Sequence, residues 1–394
     1  MRFSIITAFP EFFREFLSSS VVGRGLKAGL FEVRVVDLRS FGKGAYRQID
    51  DYAFGSGGMV LAAEPLKNAV NALMAEGKER ETPFVVYPTP QGTPLTQEVV
   101  ETLFHQGHVA IVCGHYEGID ERFVAREVDL EVAVGDCVLT GGEIPAMAIV
   151  DAVSRLIPGV VGKRGAVEED SFFRGMLDHP HYTRPASWDG EDVPEALISG
   201  DAAEIRDWRR RETVTRTLSR RPDLLSRSGL AGYMRGGFYL AVEHDEKYSP
   251  DCLKESAELC ESYGAARLFL IVKEPSGRDA LRRALELGYA GGPKKLKLMP
   301  SLERTLDLVR EKENRALLVE VADEIGKGAR HWLEMKRFIL EKDESALFYF
   351  PARSGCGERG NEGRCDVSMI PLQGGSLSLY GKVAAVLDRF LGSK

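Results

Sequence analysis

Runs of consecutive apolar residues stand at 2–8, 31–38, 83–87, 109–113 and 130–134. Continuous runs of this kind, rather than strict alternation, predict strands covered on both faces. Between them, stretches such as 62–75 and 143–157 carry apolar residues at helical spacing. Buried strands alternating with amphipathic helices predict an α/β domain built on a mainly parallel sheet. From 186 to 230 the pattern turns polar and helical, punctuated by Pro194 and Pro222 and broken at Gly229 and Gly232. A second alternation then begins, with strands at 238–243, 267–272, 316–321 and 346–350. Helices are predicted at 250–262, 276–288, 301–313 and 329–341, and a closing helix at 378–391. The expected division is therefore an α/β domain over 1–185, a helical segment over 186–230 and a second, smaller α/β domain over 231–394. Each α/β part has apolar strands of its own to bury, so a chain ending at 230 is expected to fold alone.

Composition narrows the class. At 394 residues, with 44% hydrophobic and 28% charged residues, the chain has the make-up of a two-domain globular protein. Its longest apolar runs, such as 109–113 and 144–150, fall far short of the roughly 20 residues of a membrane span. The opening MRFSIITAFPEFF is interrupted by Pro10 and Glu11 and does not read as a signal peptide, so a cytoplasmic location is expected. Six cysteines form no CxxC pair, and Cys356 and Cys365 flank a Gly/Arg-rich segment, 353–364, that is expected to be an exposed loop. Free thiols in a reducing compartment are the expectation. A formal charge of −7 argues against a nucleic-acid partner only as a global sum. Locally, arginines 206, 209, 210, 211, 216, 220, 221 and 227 face only Asp207, Glu212 and Asp223. Such a run serves RNA contact or a solvated helix face equally well.

The 41 glycines do not form a phosphate loop. No Gly-Lys pair is followed by Ser or Thr, which excludes a Walker A loop, and no strand runs into GxGxxG. Three other glycine loops do follow strand ends: PTPQG at 88–92, GHYEGIDER at 114–122 and GDCVLTGGE at 135–143. In open α/β sheets, ligands lie beyond the carboxyl ends of strands, where small residues let the backbone approach. Together the loops would enclose a ligand with main-chain groups, which suits an adenine and a ribose. Each alone is an ordinary turn. The sequence shows no metal-ligand spacing and no Ser–His–Asp or Cys–His arrangement.

As a set the loops are specific. GHYEGIDER, VGDCVLTGGEIPAMAIVDAVSRLIPGVVG and EEDSFFRGMLDHPHYTRP, with TAFPEFF at 7–13 and IDDYAFGSGGMVLAAEPL at 49–66, resemble the bacterial tRNA (guanine-N1)-methyltransferases. This is the TrmD family of the SPOUT superfamily, and the likeness runs from residue 1 to about 227. The resemblance implies a parallel sheet with a deep trefoil knot, an exception to the rule that chains do not thread loops. It implies that the loops hold S-adenosylmethionine through Tyr87, Pro88, Thr89, Pro90 and Gly92 on one side. Gly114, Tyr116 and Glu117 would lie opposite, and Val134, Gly135, Asp136, Cys137, Val138, Leu139, Gly141, Gly142 and Pro145 would close over the adenine. The sequence departs from the family at Cys137, where tyrosine is usual, at Ser56, where glycine is usual, and at Tyr46-Arg47, where His-Arg is expected.

Methylating N1 of guanine requires removal of the N1 proton as negative charge develops on O6. The minimum equipment is one carboxylate near N1 and one cation or N–H donor near O6. The resemblance puts Asp170 in the first role and Arg155 in the second. By residue type alone, Asp170 belongs to an acidic segment with Glu168 and Glu169, and Arg155 ends an apolar helix where a cation meets the dipole. Ser171 and His181 are the candidate substrate contacts, with Arg209, Arg210 and Arg211 gripping the anticodon stem through phosphates. The family works as a homodimer, its active site lying between the knot of one subunit and the 160–185 segment of the other. Its target is the guanosine immediately 3′ of the anticodon, when the base before it is also guanosine. The last 160 or so residues look similar to a SPOUT-like domain fused to some relatives. There PARSGCGERGNEGRC replaces the smooth apolar-glycine loop, which implies an accessory role in RNA binding or dimer stability. An active second methyltransferase is the alternative for that part, and RNA binding without catalysis is the alternative for the whole.

Overall fold

The computed structural model of the chain describes residues 1–55, 57–76, 82–162, 170–286, 293–321, 329–352, 366–370 and 377–392. The chain parts into two units, Met1–Glu169 and Asp170–Lys394.

The first unit runs β1 (Arg2–Thr7), α1 (Arg14–Ser18), α2 (Ser20–Lys27), β2 (Glu32–Asp37), β3 (Asp50–Tyr52), β4 (Met59–Leu61), α3 (Ala63–Glu76), β5 (Phe84–Pro94), α4 (Gln97–Phe104), β6 (His108–Val112), α5 (Glu121–Glu127), β7 (Leu130–Ala133) and α6 (Glu143–Ser154). Five strands form a parallel sheet in the order β2-β1-β6-β5-β7, while β3 and β4 pair as a separate hairpin. Alternation along each strand feeds two cores. Phe3, Ile5, Val109 and Ile111 pack against Val100 and Leu103 of α4 and Ala146, Ile149, Val150 and Val153 of α6. Ile6, Ala110 and Val112 pack on the other face against Leu66, Val70 and Leu73 of α3 and Phe123 of α5.

The strand expected at 83–87 extends to Pro94. It pairs with β7 through Pro88, bulges outward, and returns at Thr93 to the same Val132. A Cβ at Gly92 would land on the Val132 backbone, so that glycine answers to strand contact.

The second unit contains β8 (Ser187–Trp188), β9 (Glu191–Asp192), α7 (Glu195–Ile198), α8 (Ala202–Arg220), β10 (Phe238–Glu243), α9 (Pro250–Ser262), β11 (Arg267–Ile271), α10 (Pro275–Ala284), β12 (Leu296–Met299), α11 (Leu302–Glu313), β13 (Ala316–Val321), β14 (Arg330–His331), α12 (Trp332–Lys342), β15 (Ser345–Phe350), β16 (Val367–Ile370) and α13 (Leu379–Leu391). Its large sheet is parallel throughout, in the order β12-β11-β10-β15-β13-β16-β14. Numbered along the chain, the five strands of the first sheet lie second-first-fourth-third-fifth. The inner five of the second repeat that order (β11-β10-β15-β13-β16), with β12 and β14 added at the edges. Each fifth strand leads into an apolar helix, α6 or α13.

The core of this unit reaches back well before residue 231. Met176, Val214, Leu225 and Leu230 share one cluster with Phe238, Ile339, Leu340, Phe390 and Leu391. Leu230 N donates to Phe390 O at 2.6 Å, and the buried Lys336 ammonium donates to the Leu225 and Ser228 carbonyls at 3.0 and 2.5 Å. Among the described residues no helix is long and apolar enough to cross a membrane.

Candidate active site

The loops after β6 and β7 and the bulge of β5 converge on a cleft of about 290 Å³ in the first unit. It brings together Tyr87, Pro88, Thr89, Pro90, Gly114, Tyr116, Glu117, Val134, Gly135, Cys137, Val138, Leu139, Gly141, Gly142 and Pro145. Gly92 and Asp136, expected with them, do not line it. Gly92 lies against Val132, and Asp136 is exposed in the turn that Cys137 N closes on Gly135 O. Gln91, His115 and Thr140 line the cleft and were not singled out by sequence, although all three lie inside the quoted motifs.

Glycine is required where the loops meet. Gly142 N donates to Gly114 O at 2.9 Å, and a Cβ on Gly142 would sit 2.7 Å from Cys113 Cα. A Cβ on Gly114 would sit 2.9 Å from the Tyr87 ring. The walls thus combine main chain and apolar side chains with polar ones such as Glu117, His115 and Thr140, a surface that suits a flat heterocycle bearing polar groups. Burial pushes the Tyr87 phenol above its ordinary value, against a hydrogen bond with Thr89. Tyr116 holds a left-handed φ of 60°, uncommon for a bulky residue and typical of functional loops.

Behind the cleft lies a buried network that spacing did not disclose. Glu143 opens α6 and is 2% exposed. Thr7 Oγ1 donates to its Oε1 at 2.6 Å, and His115 Nε2 meets its Oε2 at 2.8 Å. Phe9 N donates to Thr7 Oγ1, and the His115 ring packs 4.6 Å from that of Phe9. Both carboxylate oxygens are satisfied, as a buried anion demands, and the charge sits at a helix N-terminus where the dipole favours it. The network ties β1, the 114–118 loop and the 141–143 loop together. The available signal was a glutamate opening an otherwise apolar helix.

Arg155 is the exposed C-cap of α6, its N–H bonded to Asp151 O at 3.2 Å. It belongs to the first unit. Asp170 begins the second, its carbonyl accepting from Phe173 N at 3.4 Å. Ser56, Glu168, Glu169 and the 353–364 segment with Cys356 and Cys365 lie outside the described residues.

In the second unit Asp178 gathers the expected substrate residues. Ser171 Oγ accepts from Asp178 N at 2.8 Å, and Asp178 Oδ2 meets His181 Nε2 at 2.7 Å. Asp178 Oδ1 lies 2.7 Å from His179 Nδ1. His181 is exposed, and the rings of His179 and Tyr182 lie 6.4 and 6.1 Å from Trp208 of α8. Burial pulls the His179 imidazole below its ordinary value despite the adjacent carboxylate. Three ligand-type atoms come within 4.8 Å here. Separations of 2.7 Å are hydrogen-bond lengths, however, and shorter than the roughly 3.3 Å between ligands on ~2.0 Å metal bonds. The cluster orients imidazoles.

The three arginines expected to grip RNA part company. Arg209 is exposed. Arg211 is half-exposed and paired with Asp207 at 3.2 Å. Arg210 does not face solvent. Its side chain is 13% exposed, and it donates to Asp343 at 2.6 and 2.8 Å, Asp207 at 2.9 and 3.3 Å and Tyr233 O at 2.8 Å. Burial opposes its charge, but the Asp343 and Asp207 carboxylates hold the guanidinium above its ordinary value. A guanidinium saturated in this way cannot serve a phosphate.

A family model described as tRNA (Guanine-1)-methyltransferase TrmD matches residues 1–227. The chain is similar to the tRNA (guanine-N(1)-)-methyltransferase of Ruminiclostridium cellulolyticum, 46% identical over 228 residues, which cover 58% of this chain and 97% of that protein. The same-named proteins of Magnetococcus marinus and Moorella thermoacetica are 49% and 47% identical, each match covering 59% of this chain and 92% of the relative.

Proposed function

The chain belongs to the TrmD family of tRNA (guanine-1)-methyltransferases, and on that premise we propose that it methylates N1 of the guanosine immediately 3′ of the anticodon. The observation that carries this reading is the cleft where the 87–91, 114–118 and 134–142 segments converge, Gly114 and Gly142 letting the loops come into backbone contact. S-adenosylmethionine would be held there by the 87–90, 114–117 and 134–142 segments and would supply an electrophilic methyl group to N1. Asp170 takes the N1 proton, which matters because N1 is protonated at neutral pH and has no usable lone pair until the proton leaves. Arg155 meets the negative charge that grows on O6. His181, oriented by Asp178, contacts the substrate guanosine beside Ser171. The Glu143–Thr7–His115 network keeps the cleft loops in register, so the methyl acceptor meets a fixed geometry.

The proposed division assigns residues 1–185 to a knotted catalytic domain, 186–230 to tRNA binding and 231–394 to an accessory SPOUT-like domain. The repeated strand order supports the last assignment. The working form is a homodimer with shared active sites, acting in the cytoplasm.

The cofactor half of the proposal has a chemical test. Cys137 is exposed and lines the cleft, whereas Cys113 and Cys260 are buried. Burial pushes the Cys113 thiol far up and the Cys260 thiol to about 12, so neither forms thiolate near neutral pH. Alkylation followed by peptide mapping should label Cys137 readily and spare the other two. S-adenosylmethionine should slow labelling at Cys137 at least about tenfold, the mark of roughly 90% occupancy. Labelling indifferent to the cofactor would remove it from this cleft.

A further inference from the structure

Beyond the family match, Asp343 supplies the carboxylate that ties this part of the chain to α8, the helix proposed to grip tRNA. Asp343 follows α12 and holds a φ of 51°, a helix-end position that favours glycine or asparagine. An aspartate there does what glycine could not: both its oxygens clasp Arg210 of α8, at 2.6 and 2.8 Å. Beside the pair, α8 and α12 part around a groove of about 440 Å³ floored by Val214, Leu218 and Leu340. Val214 and Leu340 pack into one core beneath this groove, and the two-pronged ion pair joins the helices at its polar edge. Successive residues of a helix lie about 100° apart, so fixing Arg210 inward also fixes its neighbours. Arg209, Arg216 and Arg220 are spaced seven and four apart and share another face of α8.

We infer that Asp343 is a positioning residue for tRNA recognition, pinning Arg210 and so setting the face of α8 that presents Arg209, Arg216 and Arg220. This rests on the proposal that α8 grips tRNA. It gives the stretch beyond residue 227 a defined task, orienting α8 through Arg210. Asp207 and Tyr233 O also hold Arg210, so loss of Asp343 should loosen the helix face without unfolding it.

The test uses the full-length protein and two variants. Asp343→Asn keeps the side-chain shape and tolerates the left-handed backbone, and Asp343→Gly relieves that backbone altogether. Both should raise the KM for tRNA roughly fivefold, a coupling of ordinary size, and leave kcat and S-adenosylmethionine affinity unchanged. The sign discriminates. If Asp343 acted only as a negative charge near RNA, removing it would tighten binding, and a positioning role weakens it. An unchanged or lower KM in both variants overturns the inference. So does a loss confined to kcat and thermal stability, the mark of a merely structural residue. Arg209→Ala separates this from the underlying reading. It should lower the slope of tRNA affinity against salt by about one, as a lost phosphate contact does. A flat result there removes the grip itself.

Discussion

Asp170→Asn should lower turnover at least about 100-fold while S-adenosylmethionine affinity stays within about threefold of the parent. The substitution keeps the shape and the hydrogen-bonding reach of the side chain and removes only its capacity to take a proton. The cleft proposed for the cofactor is lined from 87–91, 114–118, 132–135, 137–142 and Pro145, none of which includes Asp170. Binding and chemistry should therefore separate cleanly. Single-turnover methylation at saturating tRNA, with cofactor affinity measured by calorimetry, reads the two apart. A variant with a near-normal single-turnover rate would take Asp170 out of the mechanism.

Ending the chain after Leu230 should destabilise the second unit and spare the first. The first unit keeps both of its cores, so it should stay folded and bind S-adenosylmethionine. In the second unit the cut uncovers Met176, Val214, Leu225 and Leu230. Each buried aliphatic side chain contributes about 1.5–3 kcal/mol, and the four together match the roughly 5–15 kcal/mol by which a domain is stable. The cut also removes Asp343, Lys336 and the Phe390 carbonyl that hold α8 and the 225–230 segment. Amide exchange in α8 should lose its protection. Methylation of tRNA should fall at least about tenfold, the effect of losing ~1.4 kcal/mol of binding. A fragment with a protected α8 and undiminished methylation would show that the shared core is dispensable.

That contrast marks where sequence and structure diverge. All five strands of the first sheet and four of the second were legible because parallel strands covered by helices are continuous apolar runs, as at 109–113 and 238–243, whereas the two-residue β14 fell inside the helix expected at 329–341. The edge strand β12 was missed because Leu296–Met299 alternates with lysine and is short. β16 was missed because it follows a long polar segment. Nothing in local periodicity could reveal that 176–230 and 238–391 share one core, since that depends on which apolar faces meet. The cleft was legible through the glycine loops: fifteen of the seventeen residues singled out for it line it, and Gly92 and Asp136 stand apart. The Glu143–Thr7–His115 network was not legible, because its members are more than twenty residues apart. Arg210 was misassigned for the same reason. A run of arginines carries no record of which one a distant aspartate, Asp343, will claim.

The central claim, methyl transfer from S-adenosylmethionine to N1 of one tRNA guanosine, is tested most directly by identifying the methylated nucleoside. An unmodified tRNA transcript with guanosine on the 3′ side of its anticodon is incubated with the protein and cofactor, digested, and resolved by mass spectrometry. One 1-methylguanosine per transcript should appear, and none when that guanosine is replaced by adenosine. Absence of 1-methylguanosine, or its appearance at another position, would contradict the proposal.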